Sequence, residues 1–99
     1  STSAAEDASW EGVERDLFES LRTLRREIAD EIGKPPYVVF PDTTLRALAR
    51  HRPADVTTLG FIKGVGEKKR RTYGPRFLSA LDEWEQLHGG GRDIGLGTV

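Results

Sequence analysis

The chain contains no cysteine, which excludes a disulfide framework and any zinc site built on thiolates. It has only two histidines, His51 and His88, far apart and without a companion ligand spacing, so neither a metal nor another cofactor is expected. No apolar run approaches the roughly 20 residues that cross a bilayer, and no membrane partner is expected. The first ten residues, Ser1 to Trp10, lack the basic and apolar blocks of a secretion signal. These absences together predict a cytoplasmic protein, nucleoid-associated if bacterial. A basic excess is missing too: 15 Lys and Arg face 16 Asp and Glu, a net charge of -1, whereas strong indiscriminate nucleic-acid binders carry a cationic surplus. There is no P-loop, no G-x-S-x-G and no metal-binding carboxylate cluster. Ser9, Ser20 and Ser79 stand in no activating context. No catalytic residue is assigned, and the chain by itself is expected not to be an enzyme.

What is present suits one small helical domain, expected as a monomer: 99 residues, 36% hydrophobic and 31% charged, too few for a second core. Residues 1–12 have no periodicity and are predicted to be a flexible linker, 13–88 the domain, and the glycine-rich 89–99 a flexible tail. From Glu14 to Ile32, the residues Leu17, Leu21, Leu24, Ile28 and Ile32 recur at steps of four and three. At about 100° per residue they span an arc of roughly 80°, one core-facing stripe. Gly33 and then Pro35-Pro36 stop that helix. Residues 35–41 are predicted to be extended, given their prolines and valines. Asp42 is the expected cap of a second helix carrying Leu45, Leu48 and Ala49 and ending near Pro53. Asp55 caps a third through Val56, Leu59 and Ile62, residues 67–73 form a fourth, and Gly74-Pro75 opens a fifth with Phe77, Leu81 and Trp84 on its apolar face. The expected fold is an all-α five-helix bundle, its core drawn from these residues with Val39 and Phe40.

Charge is segregated along the chain. Between Phe61 and Phe77 six cations (Lys63, Lys68, Lys69, Arg70, Arg71, Arg76) face one acid, Glu67; this +5 leaves -6 for the remainder of a chain of net charge -1. Gly64-Val65-Gly66 interrupts two helical stretches, like the turn of a helix-hairpin-helix. Its amides could hold a phosphate, with Lys63, Lys68 or Lys69 adding charge, or it could be a tight turn in which Val65 plugs the core. Gly66 is expected to need backbone angles that a side chain would strain. Four consecutive helical residues, Lys68 to Arg71, point in four directions. Arg70 is expected to run along the core and Lys69 to face a ligand. Tyr37, after two prolines, is either displayed for stacking on an unpaired base or packed over those prolines. On the first helix Arg15, Arg22, Arg25 and Arg26 project to one flank of the stripe, and Asp16, Glu19, Glu27, Asp30 and Glu31 to the other. A flank of each sign suggests two kinds of contact, although i,i+4 pairs such as Arg15–Glu19 and Arg26–Asp30 blur the division.

Leu17-Phe18 with Leu21-Arg22-x-Leu24-Arg25, then Pro35-Pro36-Tyr37-Val38-Val39-Phe40-Pro41-Asp42-x-Thr44-Leu45, resemble the HRDC domain, a module found in RecQ-family helicases and RNase D. Arg52-Pro53, Ile62-Lys63-Gly64-Val65-Gly66, Lys69, Tyr73-Gly74 and Phe77-Leu78 follow at that family's spacing, so the likeness covers about residues 14–87. It implies a five-helix fold appended to an ATP-dependent DNA helicase, of RecQ type by the Pro-Pro-Tyr segment, acting in recombination and repair. It also implies weak binding of single-stranded or branched DNA. The contacts it implies fall on Tyr37, on Lys63 with Gly64 and Gly66, and on Lys69; the charge pattern adds Lys68, Arg22 and Arg25. The chain departs from the family in carrying Lys68 and Arg70 after the hairpin and in its acidic first helix. Two alternatives stand beside this reading: a protein-interaction module docking on the helicase core or another partner through its acidic surface, and the corresponding domain of an RNase D-type exonuclease.

Overall fold

The stripe of leucines and isoleucines becomes the buried face of helix α1 (Arg15–Ile32) in the computed structural model, which describes residues 10–88. Leu17, Phe18, Leu21, Ile28 and Ala29 are buried along it, Leu24 is half-buried, and Ile32 emerges at the exposed end. Gly33 terminates α1 in the left-handed region at φ 67°. This lets the next amide, that of Lys34, turn back onto the Ala29 carbonyl at 3.0 Å, satisfying an acceptor that the helix end would otherwise orphan.

The following segment is not extended. Pro36–Val39 forms a single helical turn, α2, with Pro35 as its N-cap at φ -64° and the Val38 amide on the Pro35 carbonyl at 3.0 Å. A proline at the first helical position has its φ already set and loses no bond there. Burial of Val39 and Phe40 outweighs the reluctance of β-branched residues to enter a helix. Phe40 then returns to extended angles, and α3 (Asp42–His51) begins. Its N-cap is Pro41, not Asp42, which lies inside the first turn. Arg52, at φ 48°, closes α3 onto the Leu48 carbonyl, and buried Pro53 forbids continuation.

Asp55 caps α4 (Val56–Leu59) as expected, its carboxylate accepting the Thr58 amide at 2.8 Å. That bond holds the Asp55 carboxyl below its ordinary pKa. The helix is one turn long and ends before Ile62, which is nevertheless buried in the turn that follows.

The two helices expected after the hairpin are one. Helix α5 (Glu67–His88) runs 22 residues straight through Gly74-Pro75. An interior proline removes one helical hydrogen bond and destabilises a helix by about 3 kcal/mol. Here, packing on both sides of it compensates. Gly74 is buried, and a Cβ there would stand 3.1 Å from Leu59 Cδ2, so α4 lies close against α5 at that point. Phe77, Leu81 and Trp84 anchor the second half of the helix in the core. Five helices and no strand are present among the described residues. The all-α bundle is as expected, though the extended segment has become a helix and two helices have become one. α1 packs on α2, α3 and α5, and α4 packs on α5. Where the C-terminal end of α1 meets α5, Arg76 donates two hydrogen bonds to Glu31, at 2.7 and 3.1 Å.

The packed unit also reaches back beyond residue 13. Trp10 sits edge-on to Phe18 at 4.7 Å beneath the Arg15 guanidinium, and Arg50 donates to the Glu11 carbonyl at 2.9 Å. Residues 1–9 and the glycine-rich 89–99 lie outside the described residues.

The hairpin glycines exchange roles. Gly66 has no positive φ and open space where a Cβ would stand, whereas Gly64 has φ 96° and a Cβ there would collide with the Thr44 hydroxyl. Gly64→Ala is therefore expected to lower stability by about 1–3 kcal/mol. Gly66→Ala should be neutral or stabilising by up to about 1 kcal/mol. Thermal unfolding of the two variants checks this, at about 4–8 °C per kcal/mol for a domain of this size; equal melting temperatures would contradict it.

Candidate nucleic-acid interface

The hairpin between α4 and α5 is held by both its side chains and its backbone. Ile62 and Val65 are buried, so Val65 does plug the core, and the Val65 amide closes onto the Ile62 carbonyl at 3.0 Å. The Thr44 hydroxyl donates to the Lys63 carbonyl at 3.2 Å, fastening the turn to α3. Against this fixed backbone, Lys63, Gly64 and Gly66 are exposed, and Lys68 follows exposed in the first turn of α5. The turn is thus structural on its inner side and presents a cationic outer side.

Lys69 is half-buried, its ammonium 5.7 Å from the centroid of the Phe40 ring, within reach of a cation–π attraction. It is less fully turned outward than expected. Arg70 does lie inward: its guanidinium covers Gly60, and its stem passes 3.9 Å from the position of a Gly74 Cβ. Arg71 pairs with Glu67 at 3.5 Å and Arg76 with Glu31, so the basic run divides into packed, paired and presented members.

Tyr37 stands on α2 with 68% of its surface exposed, which excludes the ring packed away over its prolines. The turn that carries it is anchored one step later by Phe40, whose ring meets Phe77 at 5.1 Å and Tyr73 at 6.0 Å. The Lys69 ammonium lies near that same ring, so the start of α5 reaches the residue that follows α2.

Two arginines of the expected set lie elsewhere. Arg22 is exposed on α1 with its guanidinium 2.9 Å from Glu19. Arg25 is 8% exposed and donates to the Phe40 carbonyl at 2.9 Å while pairing with Asp42 at 2.8 Å. It is therefore a structural residue rather than an open contact, and is withdrawn from the candidate set. The helical projection put it on the basic flank but could not show that Phe40 and Asp42 fold over that flank.

Phe61 was passed over in the sequence and is 84% exposed. Its amide is fixed to the Thr58 carbonyl, and its neighbour Ile62 is bonded to Leu59, so the ring is displayed from a rigid turn two positions from Lys63. The available signal was an aromatic residue lying outside the three-residue spacing of Val56, Leu59 and Ile62. Among the described residues no group of three His, Asp or Glu side chains could hold a metal, and no helix is long and apolar enough to cross a membrane.

The described residues thus form a five-helix module with a glycine turn pinned to α3 and an exposed tyrosine ring after two prolines. The family model of the HRDC domain matches residues 14–81, and the chain belongs to that family. It is similar to the ATP-dependent DNA helicase RecQ of Bacillus subtilis, at 46% identity over 73% of this chain, and to that of Haemophilus influenzae, at 40% over 75%. It also resembles the ATP-dependent DNA helicase UvrD2 of Mycobacterium tuberculosis, at 40% over 70% of the chain. The chain spans 12% of the length of the two RecQ proteins and 10% of UvrD2. A solved structure, HRDC domain 3 of D. radiodurans RecQ, superposes with a TM-score of 0.69 at 43% identity, covering 76% of this chain and 96% of that one.

Arg25→Ala should destabilise the domain by about 1–3 kcal/mol, because the buried Phe40 carbonyl loses its donor. Asp42→Ala removes only a mostly exposed partner and should matter by no more than about 1 kcal/mol. Denaturant titration distinguishes the two, and equal losses would show that the ion pair rather than the carbonyl bond carries Arg25.

Proposed function

We propose that this HRDC domain is the auxiliary nucleic-acid-binding module of a RecQ-type DNA helicase, tuning the parent's recognition of single-stranded or branched DNA in recombination and repair. The observation that carries the reading is Tyr37, an aromatic ring 68% exposed on the turn that Phe40 anchors, with the Phe40 ring 5.7 Å from the Lys69 ammonium. In this reading Tyr37 stacks on an unpaired base, with Phe61 as a second stacking surface. Lys63, Lys68 and Lys69 neutralise phosphates, the Gly64 and Gly66 turn brings the backbone close to the strand, and Arg22 adds charge from α1. Chemistry belongs to the parent; the module selects what is presented to it. The RecQ assignment of the parent is supported by the helicase relatives at 46% and 40% identity.

Three cations in simultaneous contact give a salt slope of about -2 on single strands, at about 0.7 per phosphate. Binding by the isolated domain should then lie in the range of about 10⁻⁴ to 10⁻⁶ M near physiological salt. Tyr37→Ala should weaken single-strand binding by about 1–3 kcal/mol and duplex binding less, with an unchanged melting temperature because the ring is exposed. Titration of single-stranded, forked and duplex DNA at several salt concentrations tests this. Nanomolar affinity, a slope near zero, or a Tyr37→Ala variant that binds like the parent would overturn it.

A further inference from the structure

A second surface owes nothing to the hairpin. Between α1 and the C-terminal half of α5 runs an open groove of about 590 Å³. Its apolar lining is half-buried Leu24, buried Trp84, whose ring is stacked against His88 at 4.1 Å, and Leu87, which is 75% exposed. Asp16, Glu27 and Glu83 stand along its sides. The one arginine among its lining residues, Arg76, is engaged by Glu31 through two hydrogen bonds, so its charge is already matched. Small side chains, Ser20 and Ala80 among them, line the walls and leave room for a third helix to approach to the usual 8–10 Å between axes.

We propose that this groove docks a basic amphipathic helix from a protein partner. Asp16 and Glu27 are eleven residues apart on α1, about 16 Å at 1.5 Å per residue, the length of a three-turn helix. An apolar face spaced at i, i+4 and i+7 would cover Leu24, Trp84 and Leu87, while flanking lysines or arginines would meet the three carboxylates. Phosphates are excluded from the same place by those carboxylates. The groove lies apart from the hairpin cations: its nearest α5 residue, Pro75, is six positions and about 9 Å along the helix from Lys69, and of the residues assigned to DNA only Arg22 adjoins its lining, at Thr23.

The test uses the isotope-labelled 99-residue chain and a synthetic peptide of about 14 residues with leucines at helical spacing and lysines beside them. A scrambled peptide of the same composition is the control. The groove predicts selective shifts of the Leu24, Ala80 and Leu87 amides and the Trp84 indole with the patterned peptide. Glu27→Lys/Glu83→Lys, two exposed positions, should bind about tenfold more weakly, and Leu87→Ser should lose the apolar anchor without altering the melting temperature. The proposal is overturned by equal binding of the scrambled peptide, by shifts centred on the hairpin, or by no binding. It is equally overturned if the groove signals move on raising the protein concentration alone, which would make a second copy the occupant, or on adding single-stranded DNA.

Discussion

Burial of Phe40 is the constraint on which most of the domain depends. Its ring is fully enclosed by Phe77 and Tyr73 from α5, with the Lys69 ammonium over it. An aromatic ring brought this far inside takes its own backbone with it, and a buried carbonyl without a donor would oppose the gain. Arg25 resolves the conflict by reaching from α1 to that carbonyl, and Asp42 meets the same guanidinium at the surface. One residue thereby fixes α1, the α2–α3 junction and α5 relative to one another. Tyr37 is exposed as a consequence: the short turn that delivers Val39 and Phe40 inward leaves the ring two positions earlier facing water.

A second clamp acts at the hairpin. The left-handed angle of Gly64 and the absence of a Cβ there let the Thr44 hydroxyl reach the Lys63 carbonyl. Ile62 and Val65 are buried on either side of it. The exposed residues of the turn are thus held by buried ones, an arrangement that would keep the candidate interface ordered before any binding.

The sequence already held much of this architecture, and its misreadings share a cause. The α1 stripe, the Asp55 cap and the core positions from Leu45 to Trp84 depend on local periodicity and chemistry, and these were legible. The Pro36–Val39 turn and the unbroken α5 were not, because in both a local preference yields to burial some distance away: Phe40 against α5 in the first case, Gly74 against Leu59 in the second. The candidate interface was readable in part for the same reason. Glycines, lysines and Tyr37 could be named from their types and spacing. The loss of Arg25 to the Phe40 carbonyl, the partial burial of Lys69 and the display of Phe61 each depend on which surface a neighbouring segment covers, and no projection of a single helix contains that.

In the proposed DNA-binding role, the balance of charge would let the domain be useful while binding weakly. With the basic run partly consumed by Glu67, Glu31 and the packing of Arg70, few cations remain to hold phosphates, and an acidic remainder repels a strand that strays from the hairpin. In the proposed role, a free domain with dissociation constants in the range of about 10⁻⁴ to 10⁻⁶ M would be half bound at best at about 1 μM DNA. Joined to a helicase by a short linker, it would experience an effective concentration on the order of millimolar. Against dissociation constants of about 10⁻⁴ to 10⁻⁶ M, that gives occupancy above roughly nine-tenths wherever the strand can reach Tyr37. Geometry then decides the outcome more than affinity does. In that role, a DNA form that offers an unpaired base at the correct distance from the helicase core would be held, whereas one that does not would gain little from the tether. Raising the net positive charge would strengthen every such complex alike and erode that distinction, so in the proposed role a nearly neutral domain would discriminate better.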